Sequence, residues 1–323
     1  MDDRAHSSEE AIEERVRSEI RLRIERLTSL VDGHEASMEL AGFGTAAIEP
    51  LRQFLSEKAP SGIFQPRQWA IEALAAIGAK DVLVDYLAQD EHIVDPVVRH
   101  GEDAVRNTAA RLVARWKTDD VFHLLLALSQ KRVLPGVVDA LGLFGRPEAL
   151  PILERALEDD VARPAAEKAL VQFGSQATEA LIATVGRKRM NDDEEVPSSL
   201  RRRRAAAEIL SDSPLEKGLW PKLRPLLDEG DPELVVHSAK IAAVLASDLD
   251  KKHAVAALLR VLPESPWYVK DEAAGCLEAL YNLAEPLIEN EIARRSEMPP
   301  LKRATDDALL TLMRLRRHVQ DRR

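Results

Sequence analysis

Apolar residues recur along this chain in two alternating registers, and each fits one face of an α-helix. The first is a triplet whose central residue has apolar neighbours three before and four after, which puts all three on one side of a 3.6-residue turn. It is filled by Ile48/Leu51/Leu55, Val121/Leu124/Leu128, Leu150/Leu153/Leu157, Thr178/Leu181/Val185, Trp220/Leu223/Leu227 and Val255/Leu258/Leu262; after Leu83/Tyr86 it breaks, at Asp90. The second register is anchored at Leu74, Val113, Leu141, Leu170, Leu210, Ala243 and Leu277. Four residues before each anchor stand Ala70, Ala109, Val137, Ala166, Ala206, Ala239 and Ala273. Small side chains at one helical position let neighbouring backbones approach closely. Successive anchors lie 28 to 40 residues apart, a period that suits helix-turn-helix repeats. A lone pair of such helices cannot bury its apolar face, so the pattern predicts hairpins stacked into an α-solenoid.

Punctuation agrees with this reading. Gly78, Gly145 and Gly174 follow their second helices at one offset, where a left-handed residue ends a helix. Pro66, Pro147, Pro214 and Pro232 fall at turns or first helical turns, and no alternating run suggests a β-strand. Ser8 to Leu30 reads as one charged helix with Glu9 and Glu10 in its first turn and Ile12, Val16, Ile20, Ile24 and Leu27 along a stripe. Leu301 to Val319, after Pro299-Pro300, reads as another. Both are expected to cap the ends of the stack. The expected organisation is a capping helix in 1–35, repeats in 36–285 and capping helices in 286–323.

The segments "PRQWAIEALAAIGA", "RPEALPILERALEDDVARPAAEKALVQFG" and "DPELVVHSAKIAAVLA" resemble HEAT repeats of the short bacterial kind, a class also found in phycobilin lyases. The resemblance spans residues 36 to 285. It implies an all-α fold, a right-handed α-solenoid of about seven HEAT-like hairpins with capping helices. Function does not follow from it, because one such fold hosts many activities.

Composition narrows the function classes. The chain has 323 residues, 45 basic and 55 acidic, for a net charge of −10, which disfavours nonspecific attraction to nucleic acid or anionic lipid. No apolar run reaches a membrane span, and the start, MDDRAHSSEE, lacks the basic-then-apolar pattern of a signal peptide. A single cysteine rules out an internal disulfide framework. A cytoplasmic protein is expected.

Enzyme motifs are absent: there is no phosphate-binding glycine loop, no nucleophile elbow and no paired-histidine zinc motif. Cys276 falls in the small-residue column, where packing explains it, and Asp119-Asp120, Asp159-Asp160 and Asp306-Asp307 fit helix starts. No catalytic residue, cofactor or metal site is expected, and the reading is a noncatalytic protein-binding scaffold or adaptor. Alternatives built on the same repeats are a DNA glycosylase for alkylated bases, which would use Trp69 and Trp116 on a basic face, and a phycobilin-lyase-like protein.

Candidate partner contacts come from three features. The longer repeats carry their extra residues between first and second helices, at Ala59 to Gln65, Glu91 to Glu102 and Arg187 to Ser199. One edge of a solenoid collects all such turns, and binding faces often form there. This edge holds Ile63, Phe64, Ile93, Val94, Val97, Val98, Trp267 and Tyr268, which either stand exposed for a partner or fold back onto their own hairpins. The run "RKRMNDDEEVPSSLRRRR" sets Arg187, Lys188, Arg189 and Arg201 to Arg204 around four acidic residues; the acidic run covers the arginines as a flap, or the arginines hold an acidic partner. Seven residues before the anchors, Arg67, Arg106, Arg163, Arg203 and Lys270 form a ladder with acidic residues of neighbouring hairpins or a basic track. The residues expected to touch a partner protein are Phe64, Trp69, Arg203, Arg204, Trp267 and Tyr268.

Overall fold

The computed structural model describes residues 2–57, 63–89 and 93–322, with side chains from residue 11 onward in the first helix. Asp90 and the insertion residues 59–62 and 91–92 lie outside the described residues, as do the side chains of Glu9 and Glu10. Helix answers the hydrophobic periodicity almost throughout, in two compact units, Met1–Gln172 and Phe173–Arg323. The fold is all-α and solenoid-like.

The first unit runs α1 (Asp2–Arg26), α2 (Gly33–Gly42), α3 (Ile48–Ser56), α4 (Gln65–Ile77), α5 (Lys80–Ala88), α6 (Pro96–Val113), α7 (Asp119–Lys131), α8 (Pro135–Phe144), α9 (Leu150–Ala156) and α10 (Arg163–Phe173). Second helices form one layer, with α2 against α4, α4 against α6 and α6 against α8. The second unit runs α11 (Thr178–Gly186), strands β1 (Met190–Asn191) and β2 (Glu194–Glu195), α12 (Pro197–Asp212), α13 (Trp220–Leu223), α14 (Pro232–Leu245), α15 (Asp248–Val261), α16 (Trp267–Ala279), α17 (Tyr281–Ser296), α18 (Pro300–Ala304) and α19 (Asp307–Arg322). Its layer is α12 on α14, α14 on α16 and α16 on α19.

The small-residue column makes these layers possible. Ala70, Ala109, Val137, Ala166, Ala206, Ala239 and Ala273 are completely buried, and small side chains at this position let helices within each unit approach closely. Gly136 of α8 takes the idea furthest: a Cβ there would fall 2.3 Å from the backbone carbonyl oxygen of Asn107 on α6. Helix ends also follow the expected chemistry, since Gly78, Gly145 and Gly174 have φ of 91°, 63° and 55°. At the first of these turns the N–H groups of Gly78 and Ala79 both donate to the Leu74 carbonyl, at 3.1 and 2.9 Å.

At the ends α1 packs on α2, and α17 on α19, with Leu40 and Ala36, and Leu312 and Ala308, buried like the internal anchors and their small partners. Two local expectations are corrected. On α7 the core face is turned by one residue, so Phe122 and Leu125 are buried while Leu124 and Leu128 are half-exposed. The Phe122 ring sets this turn by packing 5.2 Å from the ring of Phe144. Residues Pro96 to Glu102, expected as an insertion, are helical, because Asp95 caps α6 by accepting from the N–H groups of Val97 and Val98.

In three hairpins the recurring basic residue closes the elbow. Arg67 donates to the Leu55 carbonyl at 3.1 Å, Arg106 to Gln89 at 2.7 Å and Arg203 to Val185 at 2.6 Å. All three carbonyls end a first helix, where a cation also meets the negative end of the helix dipole.

Candidate functional site

In the second unit the elbow edge is an ordered surface. After α11 the chain doubles back as a two-residue antiparallel ladder pairing Met190 with Glu195 and Asn191 with Glu194, an element the all-helical reading of the sequence did not contain. Asp192 makes the reversal with φ of 52°, a conformation that aspartate tolerates better than most residues. The ladder lowers Glu195 onto Arg203, at 2.6 Å. The acidic flap is therefore real at Glu195, and Ser199 secures it by donating to Glu195 at 2.8 Å.

Arg203 is spent inside this structure. It is 1% exposed, and besides Glu195 and the Val185 carbonyl it pairs with Glu229 of the following hairpin at 2.6 Å. Burial raises the pKa of Glu229, but hydrogen bonds from Lys188 and Arg203 outweigh it and hold the carboxyl below its usual range. The expectation that Arg203 meets a partner is replaced by a packing role. Its ion pair to Glu229 is a rung between hairpins, as is the pair from Arg67 to Glu102 of α6, which also takes the Tyr86 hydroxyl.

Arg204, Tyr268 and Trp267 do come together at the surface. Arg204 on α12 pairs with Asp231 at 2.5 Å and with Glu233 at 2.8 Å, both at the start of α14. Burial lowers the Arg204 pKa, yet these carboxylates raise it above the ordinary value. Glu233 in turn accepts from the Tyr268 hydroxyl at 2.9 Å, and that bond raises the phenol's pKa. Tyr268 then meets the Trp267 ring edge-to-face, centroids 6.0 Å apart. Three successive second helices are thus braced together, and the brace ends in a tryptophan 76% exposed to solvent. Asp231 and Glu233 were not singled out in the sequence; the Asp-Pro-Glu triplet that starts α14, with Asp231 capping Leu234 N–H at 3.1 Å, was the available signal.

The first unit treats its two aromatics differently. Trp69 is 8% exposed, with its ring against Gly33 and its carbonyl accepting from Ser37 at 2.9 Å. Phe64 is half-buried, its ring lying where a Cβ on Gly101 would be. Both join neighbouring hairpins, so Trp69 is corrected from contact residue to core and Phe64 offers only part of its ring. Ile63, Val94, Val97 and Val98 stand exposed on the same edge.

Cys276 is buried with its thiol pushed up to about 11, as burial in an apolar layer dictates. Among the described residues no group of three or more His, Cys, Asp or Glu could hold a metal ion, and no helix is long and apolar enough to cross a membrane.

Residues 91–171 match the family model for HEAT repeats, the segment that runs from the elbow before α6 into α10. No curated protein matches the chain.

Proposed function

We propose that this HEAT-repeat protein is a noncatalytic scaffold that captures a protein segment along the elbow edge of its second helices. The observation that carries the reading is Trp267, an indole left 76% exposed at the start of a rigid helix and braced through Tyr268 and Glu233 to Arg204. Tryptophan is among the side chains enriched in the few contacts that dominate protein interfaces. Because the helices are already ordered, binding loses little conformational entropy on this side.

The test is affinity capture from the native host with quantitative mass spectrometry, comparing the wild-type chain with Trp267→Ala. A protein retained in stoichiometric amount by the wild type should fall by about tenfold or more with the variant, the effect of removing an interface hot spot. Recovery of every retained protein at the wild-type level by Trp267→Ala would remove the reading.

A further inference from the structure

Resting on that reading, we infer that the segment captured at Trp267 presents a cationic side chain, an arginine in preference to a lysine. Trp267 is the first residue of α16, and Asp271 stands one turn further along the same helix face, at the spacing that brings side chains together. Glu264 lies three residues before the ring, in the turn that leads into the helix. Both carboxylates are exposed, and among the described residues neither is in an ion pair.

Two of the cations on this and neighbouring elements are engaged elsewhere. Lys270, the nearest cation in the sequence, is mostly buried and lies 3.8 Å from Asp307. Arg204 is held by Asp231 and Glu233, and Glu233 by Tyr268. What remains outward is an exposed indole with the exposed Asp271 one helical turn further on and the exposed Glu264 three residues before it, on a chain whose net charge is −10.

Such a site has one complement. The face of an indole attracts a cation placed over it, and tryptophan does so best of the aromatic side chains. A planar guanidinium can stack on the ring while its edge donates to a carboxylate, which an ammonium ion does less well. An acidic side chain would meet repulsion from Asp271 and Glu264 instead.

The experiment uses the full chain labelled with nitrogen-15, whose four tryptophans give separate indole signals; Trp267→Phe identifies the one that belongs to this site. Two blocked pentapeptides are titrated, one with a central arginine between leucines and one with glutamate in its place. The arginine peptide should shift the Trp267 signal saturably and bind about tenfold more tightly than the glutamate peptide. Asp271→Asn should weaken the arginine peptide by roughly two- to fivefold, the worth of an exposed ion pair. Equal affinities, a preference for glutamate, or no shift of this signal by the arginine peptide at millimolar concentration would overturn the inference. Loss of native capture in Trp267→Ala together with such a peptide result would leave the contact surface standing and remove only the cation; capture that survives Trp267→Ala would remove the surface itself.

Discussion

Gly136 sets how closely α6 and α8 approach, and alanine at this one position tests the packing of the layer. The added Cβ would lie 2.3 Å from the carbonyl oxygen of Asn107 and 2.5 Å from its Cα. These are backbone atoms, so no rotamer change relieves the overlap. The helices must part, and the 2.7 Å hydrogen bond from Gly136 N–H to Asn107 Oδ1 is loosened with them. Overpacking of this kind costs about 1–3 kcal/mol, a weakened hydrogen bond adds about 1 kcal/mol, and alanine's better helix propensity returns up to about 1 kcal/mol. The expected net loss is about 2 kcal/mol. Gly42→Ala serves as the control in the same unit, since a Cβ at the end of α2 meets nothing within 4 Å and should be neutral or stabilising by a few tenths of a kcal/mol. Urea unfolding followed by circular dichroism reads the difference, with hydrogen exchange on α6 and α8 locating it. A Gly136→Ala midpoint at or above the wild type, or both variants moving in the same direction, would refute close backbone packing as the basis of the layer.

Arg203→Ala should destabilise the second unit by about 3 kcal/mol, because it takes away the buried cation shared by Glu195 and Glu229, whereas Arg52→Ala, which breaks an exposed pair with Glu49, should cost under about 1 kcal/mol; equal urea midpoints for the two variants would contradict this. His237 is buried and its pKa is pushed down to about 4, chiefly by burial. Its folded pKa lies below the unfolded value of about 6.5, so the stability tied to the neutral ring is complete above pH 6.5 and drains away as the pH falls towards 4. About 2 kcal/mol should be gone at pH 5. Melting at pH 7 and pH 5 should show a smaller acid loss in His237→Gln than in the wild type, and an equal loss would rule out this histidine as its source.

The layer of second helices was legible because its chemistry repeats: a small residue, then an apolar anchor, every 28 to 40 residues. The matching residues at the two ends escaped for a physical reason. Residues in the anchor's flanking positions face a neighbouring hairpin inside the stack, but at the ends that constraint lapses. Glu39, one before Leu40, instead accepts from Arg23 at 2.8 Å and from Arg26 at 3.0 Å, and Thr311 precedes Leu312. A template built on basic and small residues passes over both. At the candidate site, sequence could bring Phe64 and Trp267 to the same edge but could not rank them. Phe64 is half-covered only because glycine stands at position 101, 37 residues later, and no residue plays that part for Trp267. Arg203 and Arg204 are neighbours of one type, yet their α-helical phase sends one into the interior and the other to the rim.

The arginine that clasps three of the elbows has a consequence for how such a protein can vary. Where Arg67, Arg106 and Arg203 tie the second helix to a carbonyl at the end of the first, the angle between the two rods is fixed by a side chain. The connecting loop is then relieved of that duty. Its length and composition can drift freely, so the surface offered to partners can be rewritten hinge by hinge while the framework beneath keeps its pitch.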